Sequence, residues 1–291
     1  MSKPKITAPG VYELPMDVYH SQCCDGPSVS SSGLRTIEND SLKHFYATAR
    51  GLNPDAPEPE HKPSLDFGKA VHALLFDDAD EIARLVTSPY EAFRTNEAKA
   101  WRDEQHEAGR IIVTDDVLAR IRGVHTALVD EPGCAELLTA GKPEQSMIWR
   151  DAETGIWLKS RPDRLPSDAV LADLKTTKSA RPSSLERDIV NYGYHMQLGL
   201  AAMGMRALMD VTCTDAWLVF VESAAPHDVT MVRLGDELMD FGERQCRRAI
   251  RSLADAIEAD EWPGYAIGPR TAHGPDWFHK KMQNEIERDL L

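Results

Sequence analysis

The sequence contains few cysteines, and their spacing is not typical of a metal site. Five cysteines occur in 291 residues, and they are Cys23, Cys24, Cys134, Cys213 and Cys246. No pair has the C-x-x-C spacing of zinc or iron–sulfur proteins, and the odd total argues against a disulfide framework. We therefore expect reduced thiols in a cytoplasmic protein.

Long apolar runs and nucleotide-binding motifs are also absent. No stretch approaches the roughly eighteen apolar residues of a membrane span, and the N-terminus lacks the apolar segment of a secretory signal. There is no G-x-G-x-x-G after a strand, no G-x-x-x-x-G-K-[ST], no H-E-x-x-H zinc helix and no G-x-S-x-G elbow. These absences argue against membrane insertion and against a nucleotide- or NAD-dependent enzyme.

Positive charge is in the minority along the chain. Lysine and arginine number 33 against 47 acidic residues, for a formal net charge of −14. This balance argues against a polyanionic partner for the surface as a whole. Cations outnumber acids, however, between residues 148 and 187. A locally basic site on an acidic body is therefore compatible with the composition.

Hydrophobic spacing predicts helices on both sides of a strand-rich middle. Helical spacing occurs at residues 31–49, 64–76, 115–128, 189–205 and 236–259. Strand patterns occur at residues 145–149, 155–161, 169–176, 216–222 and 229–234. The proline- and acid-rich residues 53–62 predict an exposed loop. We expect one α/β (α+β) domain over residues 1–291, mainly helical to about residue 140 and with a central mixed β-sheet flanked by helices over about 141–260.

The segment RPDRLPSDAVLADLKTT, residues 161–177, carries the strongest functional signal. Asp173 and Lys175 are two positions apart on a predicted strand and so project to one face. A turn at residues 165–169 brings Asp163 near Asp173, and a divalent cation relieves the repulsion between two close carboxylates. The pattern predicts a Mg²⁺ site, with Mn²⁺ as a substitute, beside a lysine that orients water or offsets phosphate charge. A solvated hairpin with an Asp173–Lys175 salt bridge is the alternative.

Three other segments supply candidate site residues. In GKAVH, His72 lies one helical turn from Gly68 and is a candidate metal ligand, although helix histidines are more often packed residues. Glu144 precedes a predicted strand and is a candidate carboxylate ligand. In YGYHMQ, Tyr194 and Gln197 share a helix face and are candidates to contact a phosphate or the lysine. An amphipathic helix with a buried tyrosine is the alternative for this last segment.

In chain order, G-x-x-x-H, a glutamate, P-D, D-x-K and Y-x-x-Q resemble the RecB-like branch of the PD-(D/E)xK nucleases. Within that branch the chain is most similar to the RecE-type exonuclease domain (exonuclease VIII) of phages and prophages. The similarity runs from PGVYELPMDVYHS through LDFGKAVHALLF, ETGIWLKSRPDRL and DLKTT to ADEWPGY. It implies a restriction-endonuclease-like core. One departure is that the long N-terminal extension of some family members is not seen in this sequence, which we expect to be close to the nuclease domain alone.

The resemblance also implies roles for individual residues. The metal ligands would be His72, Glu144, Asp163, Asp173 and the main-chain carbonyl of Leu174. Lys175 would be the catalytic lysine, with Tyr194 and Gln197 bracing the site. Lys159 and Arg161 match the basic residues that precede the P-D motif in the family, and they are candidates to bind DNA phosphate.

The implied activity is that of a Mg²⁺-dependent exodeoxyribonuclease, which degrades one strand of a duplex from its 5′ end and leaves 3′ overhangs for recombination by strand annealing. The implied partners are double-stranded DNA ends, a single-strand annealing protein of the RecT type and further copies of the chain in a ring, with a tetramer favoured. A bacterial cytoplasm and a phage or prophage origin follow from the same resemblance.

Two alternatives to this activity stay open. One is an endonuclease or a CRISPR-associated end-trimming nuclease, although the latter usually holds an iron–sulfur cluster through four cysteines. The other is a catalytically silent DNA-binding module, against which the intact Asp163, Asp173 and Lys175 argue.

Overall fold

The computed structural model describes residues 5–57, 63–75, 82–165, 168–265, 268–269 and 271–289. Its helices are α1 (Met16–His20), α2 (Ser31–Asn39), α3 (Leu42–Thr48), α4 (Pro63–Leu75), α5 (Asn96–Glu107), α6 (Asp115–Asp130), α7 (Cys134–Thr139), α8 (Pro182–Asn191), α9 (Tyr194–Met209), α10 (Asp236–Ala259) and α11 (Asp276–Asp289). Its strands are β1 (Gly10–Tyr12), β2 (Ser28–Ser30), β3 (Leu85–Thr87), β4 (Ile111–Val113), β5 (Lys142–Pro143), β6 (Ser146–Arg150), β7 (Trp157–Ser160), β8 (Arg164–Leu165), β9 (Val170–Thr177), β10 (Asp215–Glu222) and β11 (Val229–Arg233).

Strand pairing divides the expected central sheet into two larger sheets. The first has the order β1-β6-β7-β2, in which β1, β6 and β7 are antiparallel neighbours and β2 runs parallel to β7. The second has the order β11-β10-β9, with β10 antiparallel to β11 and parallel to β9. Two small pairs, parallel β3–β4 and antiparallel β5–β8, complete the pairing of the described strands. Helices flank these mixed sheets, which confirms the predicted mixed α/β class.

Strand β9 lies between two apolar layers. Ala172 and Leu174 belong to the core cluster that α4 and α6 share with β10, whereas Leu171 belongs to the larger cluster around α9. Because side chains alternate along a strand, Asp173 and Lys175 project to the same side as Leu171. The two polar side chains therefore lie on the α9 side of the strand.

Helix α9 is the centre of the larger core. It packs against α10, α2 and strands of both main sheets. A Cβ atom added at Gly242 of α10 would lie 2.4 Å from the backbone oxygen of His195, so this glycine permits close approach of the two helices. The close crossing fixes the first turn of α9.

Two predicted helices are each interrupted in the structure. The helix expected at 31–49 divides into α2 and α3, and Ser41 caps α3 by accepting a hydrogen bond from the His44 N–H. The helix expected at 189–205 divides at Gly193, whose φ of 65° is left-handed, and α8 begins earlier than predicted with Pro182 in its first turn. The second break places Tyr194 and Gln197 at the start of α9.

Among the described residues, no helix combines the length and apolar character needed to cross a bilayer. Of the loop predicted at residues 53–62, the part to residue 57 is irregular or turn, as expected. Residues 58–62 of that loop, and residues 166–167 of the predicted turn at 165–169, lie outside the described residues.

Candidate active site

Residues from seven elements and three connecting segments surround one cavity of about 590 Å³. It lies between α1, β2, α2, α4, β7, β9 and α9. The predicted site residues that line this cavity are His72, Glu144, Arg161, Asp163, Asp173, Lys175 and Gln197. The structure thus brings together residues that the sequence distributes over more than a hundred positions.

The backbone of β9 holds Asp163 in the cavity. The N–H of Leu174 donates a hydrogen bond of 2.6 Å to Asp163 Oδ2. In a strand, the N–H and C=O of one residue point to the same edge, so the Leu174 carbonyl also faces the Asp163 side. The N–H of Glu144 in turn donates to the Asp163 backbone oxygen at 3.1 Å. Asp163 and Glu144 are therefore both positioned through main-chain contacts.

Arg164, which was not predicted as a site residue, fixes the short strand β8 that directly follows Asp163. Its side chain is buried and donates to the carbonyl of Val170, at the start of β9, and to Asp168, each at 3.0 Å. It also donates to the carbonyl of Ala140 at the end of α7. Arg164 thereby joins β8 to β9 beside the cavity.

His72, Glu144 and Asp163 form a cluster that suits a divalent cation. One ligand atom from each lies within 4.8 Å of the others. His72 Nδ1 is 3.5 Å from Asp163 Oδ1 and 3.9 Å from Glu144 Oε1. Carboxylate oxygens with one imidazole nitrogen are ligands that Mg²⁺ and Mn²⁺ accept. A bound cation would polarise a phosphoryl oxygen and lower the pKa of a coordinated water.

Asp173 adds a further buried carboxylate beside this cluster. Its side chain is 1% exposed, and its Oδ1 accepts a 2.7 Å hydrogen bond from Gln197 Nε2. Its Oδ2 faces the Lys175 ammonium as an ion pair but has no hydrogen bond of normal geometry from the described residues. Asp173 is therefore held by Gln197 on one oxygen and by the Lys175 ammonium on the other, directly beside the metal-binding cluster.

The site concentrates negative charge in a poorly hydrated space. Burial, together with the charge of Asp173, raises the pKa of Asp163 well above its ordinary value. Burial and the charge of Asp163 likewise raise the pKa of Glu144. Burial lowers the pKa of His72, which favours the neutral imidazole that binds metals. A cation bound here would offset the repulsion that raises both carboxyl pKa values.

Lys175 remains charged in this environment. Burial alone would lower the pKa of its ammonium, but the charges of Asp173 and Asp163 outweigh burial and raise it. The ammonium lies 4.9 Å from the centre of the Tyr194 ring, and burial raises the pKa of that phenol, so Tyr194 is neutral. Tyr194 is not among the cavity-lining residues and contacts Lys175, whereas Gln197 both lines the cavity and donates to Asp173.

Lys159 does not occupy the position that the phosphate prediction requires. Its ammonium is buried and donates hydrogen bonds of 2.8 Å to the backbone oxygens of Tyr19 and Ser21. In β7 it is Ser160 that faces the cavity, and neighbouring strand residues point to opposite faces. The assignment of Lys159 to DNA phosphate is therefore corrected to a structural contact. Arg161 lines the cavity, but its guanidinium is already bonded to Glu144.

The cavity lining also includes residues that were not predicted from the sequence. Among them are Tyr19 of α1 and, at the start of α2, Ser30, Ser31, Ser32 and Arg35. Arg35 is held by a 2.8 Å hydrogen bond to the backbone oxygen of Tyr192. The serine run was visible as a helix-start signal, but only the tertiary packing shows that this helix start faces Asp173.

Two solved structures resemble this fold. A candidate exonuclease from Eubacterium rectale has a TM-score of 0.61 at 13% identity, with 91% of this chain and 96% of that chain covered. A phage-related exonuclease from Haemophilus somnus 129PT has a TM-score of 0.33 at 17% identity, over 80% of this chain and 96% of that chain. The first likeness shows a shared fold, and the second is too distant to support an argument. No curated protein sequence matches the chain.

A family model described as a PDDEXK-like domain of unknown function (DUF3799) matches residues 30–268. The matched range contains strands β7 and β9, which line the cavity, and every predicted site residue from His72 to Gln197. The chain therefore belongs to the PDDEXK-like family DUF3799.

Proposed function

We propose that this protein is a divalent-metal-dependent exodeoxyribonuclease that degrades one strand of duplex DNA from its 5′ end and leaves a 3′ overhang. The observation that carries the proposal is the buried convergence of Asp163, Asp173 and Lys175 in one cavity, next to His72 and Glu144. Membership of a PDDEXK-like family supports hydrolysis of a phosphodiester.

The side chains of the site divide the work of hydrolysis. His72, Glu144 and Asp163 would hold Mg²⁺, with Mn²⁺ as a substitute. Lys175 stays protonated between Asp173 and Asp163, where its ammonium can hold the attacking water or offset the charge that develops on the phosphate. Gln197 keeps Asp173 oriented, and Tyr194 limits the positions of the lysine chain.

The α2 side of the cavity suits the phosphate backbone of a substrate. Arg35 supplies a guanidinium, and the start of α2 directs backbone N–H groups and three serines toward the same space. Burial lowers the pKa of Arg35, yet a guanidinium remains charged at neutral pH. A cation and a helix start in the same cavity as the acidic, metal-binding residues would orient a nucleotide there.

The exonuclease character, the 5′ polarity and the overhang rest on the RecE-type pattern of the motifs. The Eubacterium rectale structure, which is described as an exonuclease, agrees with the exonuclease character alone. We further propose that the protein acts in a bacterial cytoplasm, with a phage or prophage origin, and that a RecT-type annealing protein receives the 3′ strand. A ring of copies, with a tetramer favoured, would turn basic residues toward the duplex and reconcile DNA binding with a net charge of −14.

The deciding experiment is digestion of a linear duplex labelled separately at each 5′ and each 3′ terminus, with Mg²⁺ and then with EDTA. We expect early release of 5′ label as mononucleotides, retention of 3′ label and no release in EDTA. Release of 3′ label first would reverse the polarity. Cleavage of closed-circular duplex would indicate an endonuclease, and binding without any cleavage would indicate a silent DNA-binding module.

A further inference from the structure

Arg161 connects Glu144 to the N-terminal part of the chain. Its Nε donates a 2.6 Å hydrogen bond to Glu144 Oε2, and its Nη1 donates a 2.7 Å hydrogen bond to the backbone oxygen of Leu14. The Arg161 side chain is 10% exposed and that of Glu144 is 20% exposed. The planar guanidinium thus uses two of its edges on protein acceptors inside the cavity wall.

Lys159 fixes the far end of the same N-terminal segment. Its ammonium does not face the cavity and instead donates hydrogen bonds to the backbone oxygens of Tyr19 and Ser21, at the end of α1. The Tyr19 ring centre lies 5.5 Å from the Lys159 ammonium and 5.9 Å from the Arg161 guanidinium carbon. The two cations therefore hold residues 14–21 at both ends of α1, whose residues line the cavity.

Glu144 needs such support because its backbone is strained. Its φ of 52° lies in the left-handed region, which is uncommon for a residue with a side chain. The conformation turns the carboxylate toward His72 and Asp163, and burial beside Asp163 opposes its charge. Strained backbone of this kind persists where surrounding contacts determine it. Two contacts hold Glu144 in this conformation: its backbone N–H donates to the Asp163 backbone oxygen, and its carboxylate accepts a hydrogen bond from Arg161.

We propose that Arg161 is a positioning residue, which orients Glu144 for metal binding by tying it to residues 14–21, and that it is not the phosphate-binding residue expected from the sequence. This inference rests on the proposed metal-dependent function. It assigns the N-terminal segment a part in the site, since the Leu14 carbonyl holds the other edge of the guanidinium.

Titration of Mn²⁺ into the purified, DNA-free protein tests this inference through metal affinity rather than activity. The variants are Arg161→Lys, Glu144→Gln and the double variant, with Arg150→Lys as the matched control because Arg150 is exposed and bonds only the Gly155 carbonyl among described partners. Lysine keeps the charge but lacks the two-edged donor. We expect Arg161→Lys to weaken Mn²⁺ binding by about 10- to 100-fold, the usual effect of losing a group that orients a ligand.

The double variant separates positioning from a general folding defect. If Arg161 acts through Glu144, Arg161→Lys will have little further effect in the Glu144→Gln background, because the two changes remove one interaction. An equal loss in both backgrounds would overturn the proposal. So would wild-type Mn²⁺ affinity in Arg161→Lys combined with weaker, less salt-dependent DNA binding, which is the behaviour of a phosphate ligand.

The inference and the proposed function fail in different ways. A wild-type protein that binds no Mn²⁺ would overturn the positioning role together with the metal site. A wild-type protein that binds Mn²⁺ and shows the expected coupling, but leaves labelled duplex intact, would overturn the exonuclease proposal and support the positioning role.

Discussion

Replacement of Asp173 by asparagine isolates the charge at the centre of the site. The carboxylate is 1% exposed, faces the Lys175 ammonium and accepts a 2.7 Å hydrogen bond from Gln197. Asparagine keeps the shape and one carbonyl oxygen, so Gln197 retains an acceptor. The variant therefore changes electrostatics with little change in packing.

The effect on stability is the balance of two opposed terms. Removing one partner of a buried ion pair costs about 3–5 kcal/mol in general. Asp173 also repels Asp163, and its charge contributes to the raised pKa of that carboxyl, so its removal relieves part of the strain. Lys175 keeps Asp163 as a second anion. We expect the free energy of unfolding to fall by about 2 kcal/mol, less than for an isolated buried pair.

The effect on hydrolysis should be much larger. We expect Asp173→Asn to slow the release of 5′ label from a duplex by at least about 10³-fold, because charges in a water-poor site act strongly on the transition state. This corresponds to about 4 kcal/mol of lost transition-state stabilisation. Single-turnover digestion measures the rate, and fluorescence anisotropy without metal checks that DNA still binds.

Asp168→Asn provides the matched control for this variant. Asp168 precedes the same strand, but its side chain is 51% exposed and pairs with Arg164 outside the cavity. We expect its activity to stay within about twofold of wild type, as for most surface changes. If Asp173→Asn also cleaved at close to the wild-type rate, the reaction centre would have to lie elsewhere and the reasoning from this cluster would be refuted.

Three other predictions concern the metal-free site and the fold. Because the folded-state pKa of Asp163 is raised, its contribution to stability is present at low pH and is lost as pH rises through that pKa. In EDTA, Asp163→Asn should therefore raise the melting temperature more at pH 8 than at pH 5, and an equal shift at both would contradict the assigned direction. Asp151→Ala removes a buried acceptor of two Thr154 hydrogen bonds and of the Arg247 ion pair, and should lower the free energy of unfolding by about 3 kcal/mol in urea titrations, with unchanged Mn²⁺ affinity. Gly242→Ala places a Cβ 2.4 Å from a backbone oxygen and should cost about 1–3 kcal/mol. Gly235→Ala meets nothing within 4 Å and should cost less, at most about 1 kcal/mol, because glycine is the better N-cap residue of α10.

The parts of the fold that local patterns determine were predictable from the sequence. The alternation along β9 shows that Asp173 and Lys175 share a face, because that relation depends only on the strand period. Helix interruptions were not predictable in the same way. Gly193 lies inside continuous helical spacing, yet its φ is left-handed, and the Arg35 side chain packs where a Cβ atom would lie.

Which strands become neighbours in a sheet cannot be predicted from local sequence patterns. The strands at 145–149 and 155–161 were predicted, but they pair with β1 and β2 near the N-terminus, which the sequence analysis did not place in the sheet. Only contacts across the fold determine those neighbours. The same contacts bring α1 and the start of α2 to the cavity, so the residues there were missed together.

Lys159 and Arg161 show why residue type and spacing do not by themselves assign a role. Both are cations close to the P-D motif, and the same phosphate-binding function was expected of them. Strand β7 ends between them, so Lys159 keeps a strand orientation away from the cavity, while Arg161 turns into it beside Glu144. The acceptors that engage Lys159 belong to Tyr19 and Ser21, about 140 positions earlier in the chain. Because backbone carbonyls already accept its hydrogen bonds, the Lys159 ammonium is not available to bind a phosphate. Its role is to hold the end of α1, and that role depends on carbonyls that are distant in sequence.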